Sequence, residues 1–217
     1  MKKILRGFTL AEVLITLGVI GVVSAMTLPT LTTNVQKQQI APALGKAINT
    51  LQSANNLAIQ QGQVRRLNEL AADPADPAIN SYFTQILRPY LKTTPVTTPP
   101  TYTTINGGDA IALAGDMYQT PDGLYYTVQL SNNNEFQIDV DVNGPKGPNV
   151  GGIDLFRLLV RPNGDVVAVG SAEFLRLRGD LELEEGQAVP GCNRGAITDW
   201  TYCGGSIVDN NYKVLYY

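Results

Sequence analysis

The chain has 217 residues, with 19 acidic against 16 basic side chains and no histidine at all. The missing histidine excludes Ser-His-Asp and Cys-His catalysis and any His-ligated zinc site. Three of the 16 bases lie in the first seven residues, which leaves 13 against 19 acids elsewhere. The only close basic groupings in that remainder, Arg65-Arg66 and Arg176 with Arg178, are too sparse for phosphate binding, so no nucleic-acid partner is expected.

The first element is a basic head, Lys2, Lys3 and Arg6, followed by an apolar block over residues 8–28 in which Glu12 is the one ionisable side chain. As a helix that block spans about 31 Å, the thickness of a bilayer's hydrocarbon core. Bases before it and a long chain after it predict a single pass with the N-terminus inside and the rest outside. A plain anchor is one reading. A secretory signal cut after Val23-Ser24-Ala25 is a second, although the block is long for a signal core and an acid within one is unusual. The third accounts for both oddities. Gly7-Phe8-Thr9-Leu10-Ala11-Glu12 resembles the class III leader of type IV pilins and type II secretion pseudopilins, in which a membrane-embedded aspartyl peptidase cuts after the glycine and methylates the new N-terminus.

That resemblance implies that Gly7 ends the leader, that Phe8 is the methylated first residue, and that Glu12 serves assembly. A carboxylate at mid-membrane costs about 2.5–3.5 kcal/mol on insertion scales and persists only with a partner. In the family the α-amino group of Phe8 on a neighbouring copy is that partner. The implied partners are the prepilin peptidase/methylase, other pilin-like subunits, an inner-membrane assembly platform and membrane lipid. The implied location is the bacterial inner membrane, with the head outside.

Pro29 follows, where the family often carries a helix-bending proline. From Ile40 through Leu44, Ala47/Ile48, Leu51 and Ala54 to Leu57/Ala58, apolar residues recur at three- and four-residue steps, the pattern of an amphipathic helix over 29–62. Pro42 interrupts it, as a second bend or a restart. Both halves together predict a stem of about 80 Å. Residues 63–104 read as a connecting segment. Asp76 caps and Pro77 opens a short helix over 78–91, with Ile79, Phe83, Ile86/Leu87 and Tyr90 as its apolar face and Pro89 a difficulty near its end. Residues 93–101, Thr-Thr-Pro-Val-Thr-Thr-Pro-Pro-Thr, read as an extended exposed spacer, with a glycosylated stretch as the alternative.

Residues 105–217 read as a β-rich head. Short apolar runs at 111–113, 117–119, 124–130 and 135–142 alternate with turns such as Pro121-Asp122-Gly123 and 131–134. Residues 153–160 are apolar almost throughout and suit a central strand, and Pro162-Asn163-Gly164-Asp165 turns into 166–169. An antiparallel meander packed on the stem is expected. An acidic segment, 181–185, precedes Cys192 and Cys203, which read as a disulfide in an exported domain, with Trp200 and Tyr202 packing its loop. Residues 212–217 read as a final strand.

One constellation could carry chemistry. Asp139-Val140-Asp141-Val142-Asn143-Gly144 begins like a calcium loop, with oxygen ligands at alternate positions before a glycine turn. The twelfth position is Val150 rather than glutamate, so Asp154 would have to close the cage, and Ca²⁺ at Asp139, Asp141, Asn143 and Asp154 is the only cofactor suggested. The competing reading puts both strand aspartates on a solvent-facing side. No catalytic residues are identified, and glycines 144–152 lack the phosphate-loop pattern. The expectation is therefore α+β: a long N-terminal helix, transmembrane then amphipathic, on a small antiparallel sheet as in pilins. The function implied is that of a structural subunit, a pseudopilin or minor pilin. The alternative is an anchored or secreted binding module that never polymerises.

Overall fold

The computed structural model describes residues 8–62, 87–105, 109–113, 115–130, 136–161, 164–178, 191–193, 196–197 and 199–215. Contacts divide the chain into two units, Met1–Gln39 and Ile40–Tyr217. Helix α1, Leu10–Gln60, contributes to both. It opens with a reciprocal cap: Thr9 N–H donates to Glu12 Oε2 at 2.8 Å, and Glu12 N–H donates to Thr9 Oγ1 at 3.2 Å. It ends where the sequence predicts, at Gly62, whose left-handed φ of 76° lets its N–H turn back to the Ile59 carbonyl.

Neither proline ends α1, so the restart allowed for at Pro42 is not found. Proline removes one hydrogen bond and crowds the carbonyl four residues back, at a cost of about 3 kcal/mol. Pro42 lies on the exposed side of α1, where that carbonyl can be hydrated, and its neighbours on the other side are held by burial.

The best apolar window of α1 contains no buried residue. In the second unit, Ile40, Ala41, Leu44, Ala47, Leu51, Ala54 and Ala58 are all at or below 4 % exposure. They pack against Tyr126, Ile138, Val140, Phe156 and Leu158 of the sheet. Each large side chain so buried stabilises by about 1.5–3 kcal/mol. Polar contacts fix the register: Gln52 Oε1 accepts from Val166 N–H at 2.8 Å, and Asn55 Nδ2 donates to the Gly164 carbonyl. Gly164, at φ 97°, has no room for a side chain, since a Cβ would meet Ile59.

Among the described residues the main sheet has nine strands: β1 (Thr94–Pro95), β2 (Tyr102–Thr104), β3 (Ala110–Ile111), β4 (Met117–Gln119), β5 (Tyr125–Leu130), β6 (Phe136–Asp141), β7 (Val150–Gly151), β8 (Leu155–Val160) and β9 (Val166–Ala168). Its order is β1-β4-β5-β6-β8-β7-β2-β3, with β9 also on β8. The expected meander holds for β4, β5, β6, β8 and β9, which pair antiparallel. Elsewhere the expectation is corrected: β7 pairs parallel with both β8 and β2, so the sheet is mixed. Strands β2 and β7 are separated in sequence by β3 to β6, so no short hairpin forces them to run antiparallel.

Around the sheet lie α2 (Arg88–Leu91), α3 (Ala172–Arg178), α4 (Cys203–Asp209) and a two-stranded ribbon of β10 (Cys192–Asn193) and β11 (Ala196–Ile197). The fold is thus α+β. Pro89 falls in the first turn of α2, where its missing N–H leaves no helical bond unmade. Of the short helix expected over 78–91, Ile79, Phe83 and Ile86 lie outside the described residues, as do Asp76, Pro77, Arg65-Arg66, the turn at 131–134 and the acidic segment 181–185. The spacer is only partly free: Thr93 is buried and Thr94–Pro95 pairs with β4. No strand forms over 212–215. Asn211 and Tyr212 take positive φ, and the Tyr212 N–H closes α4 on the Ile207 carbonyl at 2.9 Å.

Candidate functional site

Two regions carry the residues singled out above. At the N-terminus, Gly7 lies outside the described residues, while Phe8 is 90 % exposed just ahead of α1. Glu12 stands in the first turn of α1, and its carboxylate is held by both the N–H and the hydroxyl of Thr9. Leu10–Gln60 contains the one helix among the described residues long and apolar enough to cross a membrane, with a mean hydropathy of 2.0 over its best window.

The second region is the acidic loop that joins β6 to β8. Strand β6 alternates as expected, yet Asp139 and Asp141 are each 1 % exposed, not solvent-facing. The reason is a covered second face. Tyr102, Met117, Tyr125 and Leu155 pack there with Trp200, and Leu159, Val167, Val169, Phe174 and Leu175 form a further cluster.

Asp139 lies opposite Arg157 in the β6–β8 register and receives its Nε at 2.7 Å and an Nη at 2.9 Å. The guanidinium also lies 5.2 Å from the Trp200 ring, an arrangement that suits a partly desolvated arginine. Burial pushes the Asp139 carboxyl up, and Arg157 pulls it back. Burial works against the Arg157 cation as well, but Asp139 outweighs it and holds the guanidinium above its ordinary range.

Asp141 accepts from the Tyr102 hydroxyl at 2.7 Å and from the N–H groups of Asn143 and Gly144 at 3.0 and 2.8 Å. Burial is the largest influence on it and moves its pKa up to about 7 despite these donors. Asp154 accepts from the N–H groups of Asn149 and Val150, both at 2.7 Å, and burial raises it too. The Tyr102 hydroxyl is pushed up by burial and then by Asp141.

This geometry redistributes the suggested calcium ligands. Asp139 belongs to an ion pair. Asp141 and Asp154 are ringed by N–H and O–H donors, whose positive ends suit a carboxylate rather than a cation. Asn143 Nδ2 donates to the Gly147 carbonyl at 2.8 Å, and the Oδ1 atoms of Asn143 and Asn149 are buried without a partner. Ca²⁺ takes six to eight oxygens. Among the described residues no group of three or more acidic, Cys or His side chains is placed to hold a metal. What the loop does chemically is brace itself: buried carboxylates supply the acceptors that its backbone needs.

Cys192 and Cys203 form the expected disulfide, with S–S 2.04 Å and Cα–Cα 5.1 Å. It sits on the acidic loop because two glycines admit it. A Cβ on Gly151 would lie 2.7 Å from the Trp200 ring, and one on Gly152 2.9 Å from Cys203 Sγ. Tyr102, Arg157 and Thr9 were not singled out from sequence. Arg157 was findable, since one arginine in an otherwise apolar strand asks for a buried acid, and Thr9-x-x-Glu12 is a legible capping box. Tyr102 carried no such signal. A groove of about 810 Å³ beside α1, between Tyr90 and Tyr212, contains Lys46, which pairs with Asp122 at 2.5 Å. Comparison with protein-family models, with curated proteins and with solved structures gives no match to this chain.

Proposed function

We propose that this chain is a type IV pilin-like structural subunit, a pseudopilin of type II secretion or a minor pilin. In this reading it is cut after Gly7, methylated on Phe8 and built into an envelope filament through its apolar helix. The observation that carries the reading is the contrast along α1. Its second half is a buried stripe on a mixed sheet, whereas the best apolar window of the helix contains no buried residue. Large side chains such as Leu10, Ile15, Leu17, Ile20 and Met26 are 60–79 % exposed. At about 25 cal/mol per Å² such a surface demands an apolar partner outside the chain. Lipid supplies it before assembly and neighbouring helices supply it afterwards.

Glu12 fits the same account. In a lone subunit Thr9 gives its carboxylate two donors, and in a filament Phe8 of a neighbouring copy gives it a charge. The head, braced by an ion pair and a disulfide, is the part that faces partners. The test is Glu12→Val, read by cross-linking of envelope fractions. The variant should reach the membrane and fail to form ladders of linked subunits. Ladders equal to those of the unsubstituted chain would favour an anchored module that does not polymerise.

A further inference from the structure

Between α2 and β2 the chain carries five threonines and three prolines in nine residues, 93–101, with no ionisable side chain. The structure sorts those threonines into two groups. Thr93 is buried, and Thr94 is paired with Gln119 of β4. Val96 is anchored too, with its N–H on the Met117 carbonyl at 2.8 Å. Then the chain lifts away. Thr97, Thr98, Pro99 and Thr101 are exposed, and Tyr102 returns to the interior at 2 % exposure with its hydroxyl on Asp141. The result is a short uncharged strap, pinned at both ends, beside the terminal strand of the sheet.

We infer that Thr97, Thr98 and Thr101 are acceptors for O-linked sugars, added after the head leaves the cytoplasm. The inference rests on the export reading above. Three features of the strap carry it. The hydroxyls of these three threonines make no hydrogen bond among the described residues, so nothing has to be broken for a transferase to use them. Pro99 and Pro100 lack N–H donors and restrict the backbone at Thr98, where the chain bends, so the acceptor needs little ordering on capture. No Asn-x-Ser/Thr sequence occurs in the chain, which leaves the hydroxyls as the route for glycosylation.

The step is a simple displacement. A threonine Oγ attacks the anomeric carbon of a sugar carried on a polyprenyl pyrophosphate. The carbon–oxygen bond to phosphate breaks, its electron pair leaves with the pyrophosphate, and the hydroxyl proton passes to a base of the transferase. A sugar here would stand over β1 and shield the open edge of the sheet, where Pro95 already removes one donor.

The test uses full-length protein recovered from its own cells. Trypsin and chymotrypsin together release residues 93–102, and mass spectrometry with electron-transfer fragmentation places any added mass. Sugar-sized increments on Thr97, Thr98 or Thr101, with none on Thr93 or Thr94, are expected. They should vanish in the triple variant Thr97→Ala, Thr98→Ala, Thr101→Ala, with the unfolding midpoint unchanged. An unmodified peptide, or sugar confined to Thr93 and Thr94, would overturn the inference. The N-terminal peptide of the same digest reads processing separately, so a start at Phe8 beside a bare strap would refute the sugar and leave the proposed function standing.

Discussion

Leu17 and Leu51 belong to the same helix, carry the same side chain, and differ sixty-fold in exposure, at 61 % and 1 %. The difference lies in what the chain places opposite them. Leu51 shares one buried cluster with Tyr126, Ile138 and Phe156 of the sheet. The best apolar window of the helix contains no buried residue. The second half of α1 is thus satisfied within its own molecule, and in the proposed reading lipid or neighbouring subunits cover the first. Amphipathic spacing marks a helix that its own fold will cover. Apolarity all round marks one that is covered on every side, in a large core or in a membrane.

The contrast can be broken most strongly on the covered side. Arg157→Leu would leave Asp139 charged and buried without its partner, and should destabilise the head by about 3–5 kcal/mol. Chemical denaturation in mild detergent measures it. Leu51→Ala should cost about 2–5 kcal/mol by the same assay, because the cavity left between α1 and the sheet refills only in part. Leu17→Ala should leave that midpoint where it is. This pair of substitutions is the direct comparison of the two halves, and equal effects would refute it. Replacing Cys192 and Cys203 together by serine should cost about 2–4 kcal/mol through the entropy of the unfolded loop.

A pH effect sharpens the same picture. The Asp141 carboxyl stands near 7 in the folded head against 3.8 ordinarily, so between those values the native state holds a proton that the unfolded chain releases. Stability should therefore be highest below about pH 4 for this group and fall as pH rises towards 7. Asp154 is displaced in the same direction. Asp141→Asn should flatten the profile between pH 4 and 8, read from thermal midpoints. The smallest effect is expected at the start of α1. Thr9→Val removes the hydroxyl of the cap, about 0.5–2 kcal/mol of local helix stability. Faster amide exchange over the first turn would show it, with no change in the head.

How much of this was legible in sequence differs by region. The stripe from Ile40 to Ala58 was readable because a single covered face imposes its period directly. Strand β6 was readable from its alternation, and β8 from an almost unbroken apolar run. The burial of Asp139 and Asp141 was not, because strict alternation reports two faces and does not report whether the second is covered. That cover comes from Tyr102, Trp200 and Phe174, distant in sequence from β6. Helix α4 was missed because Gly204-Gly205 argues against a helix on propensity. Those glycines are there for close approach: a Cβ on Gly205 would fall 1.9 Å from Ser171 N. Parallel pairing of β7 depends on where a long connection returns, and no local pattern encodes that.

The central claim is that the bare half of α1 stays on the chain and is handed from lipid to filament. The measurement that tests it most directly is the intact mass and N-terminal sequence of the protein recovered from its cell envelope. The account predicts a start at methylated Phe8, with the whole apolar helix retained. A start at Met26, with that helix removed as a signal peptide, would contradict it.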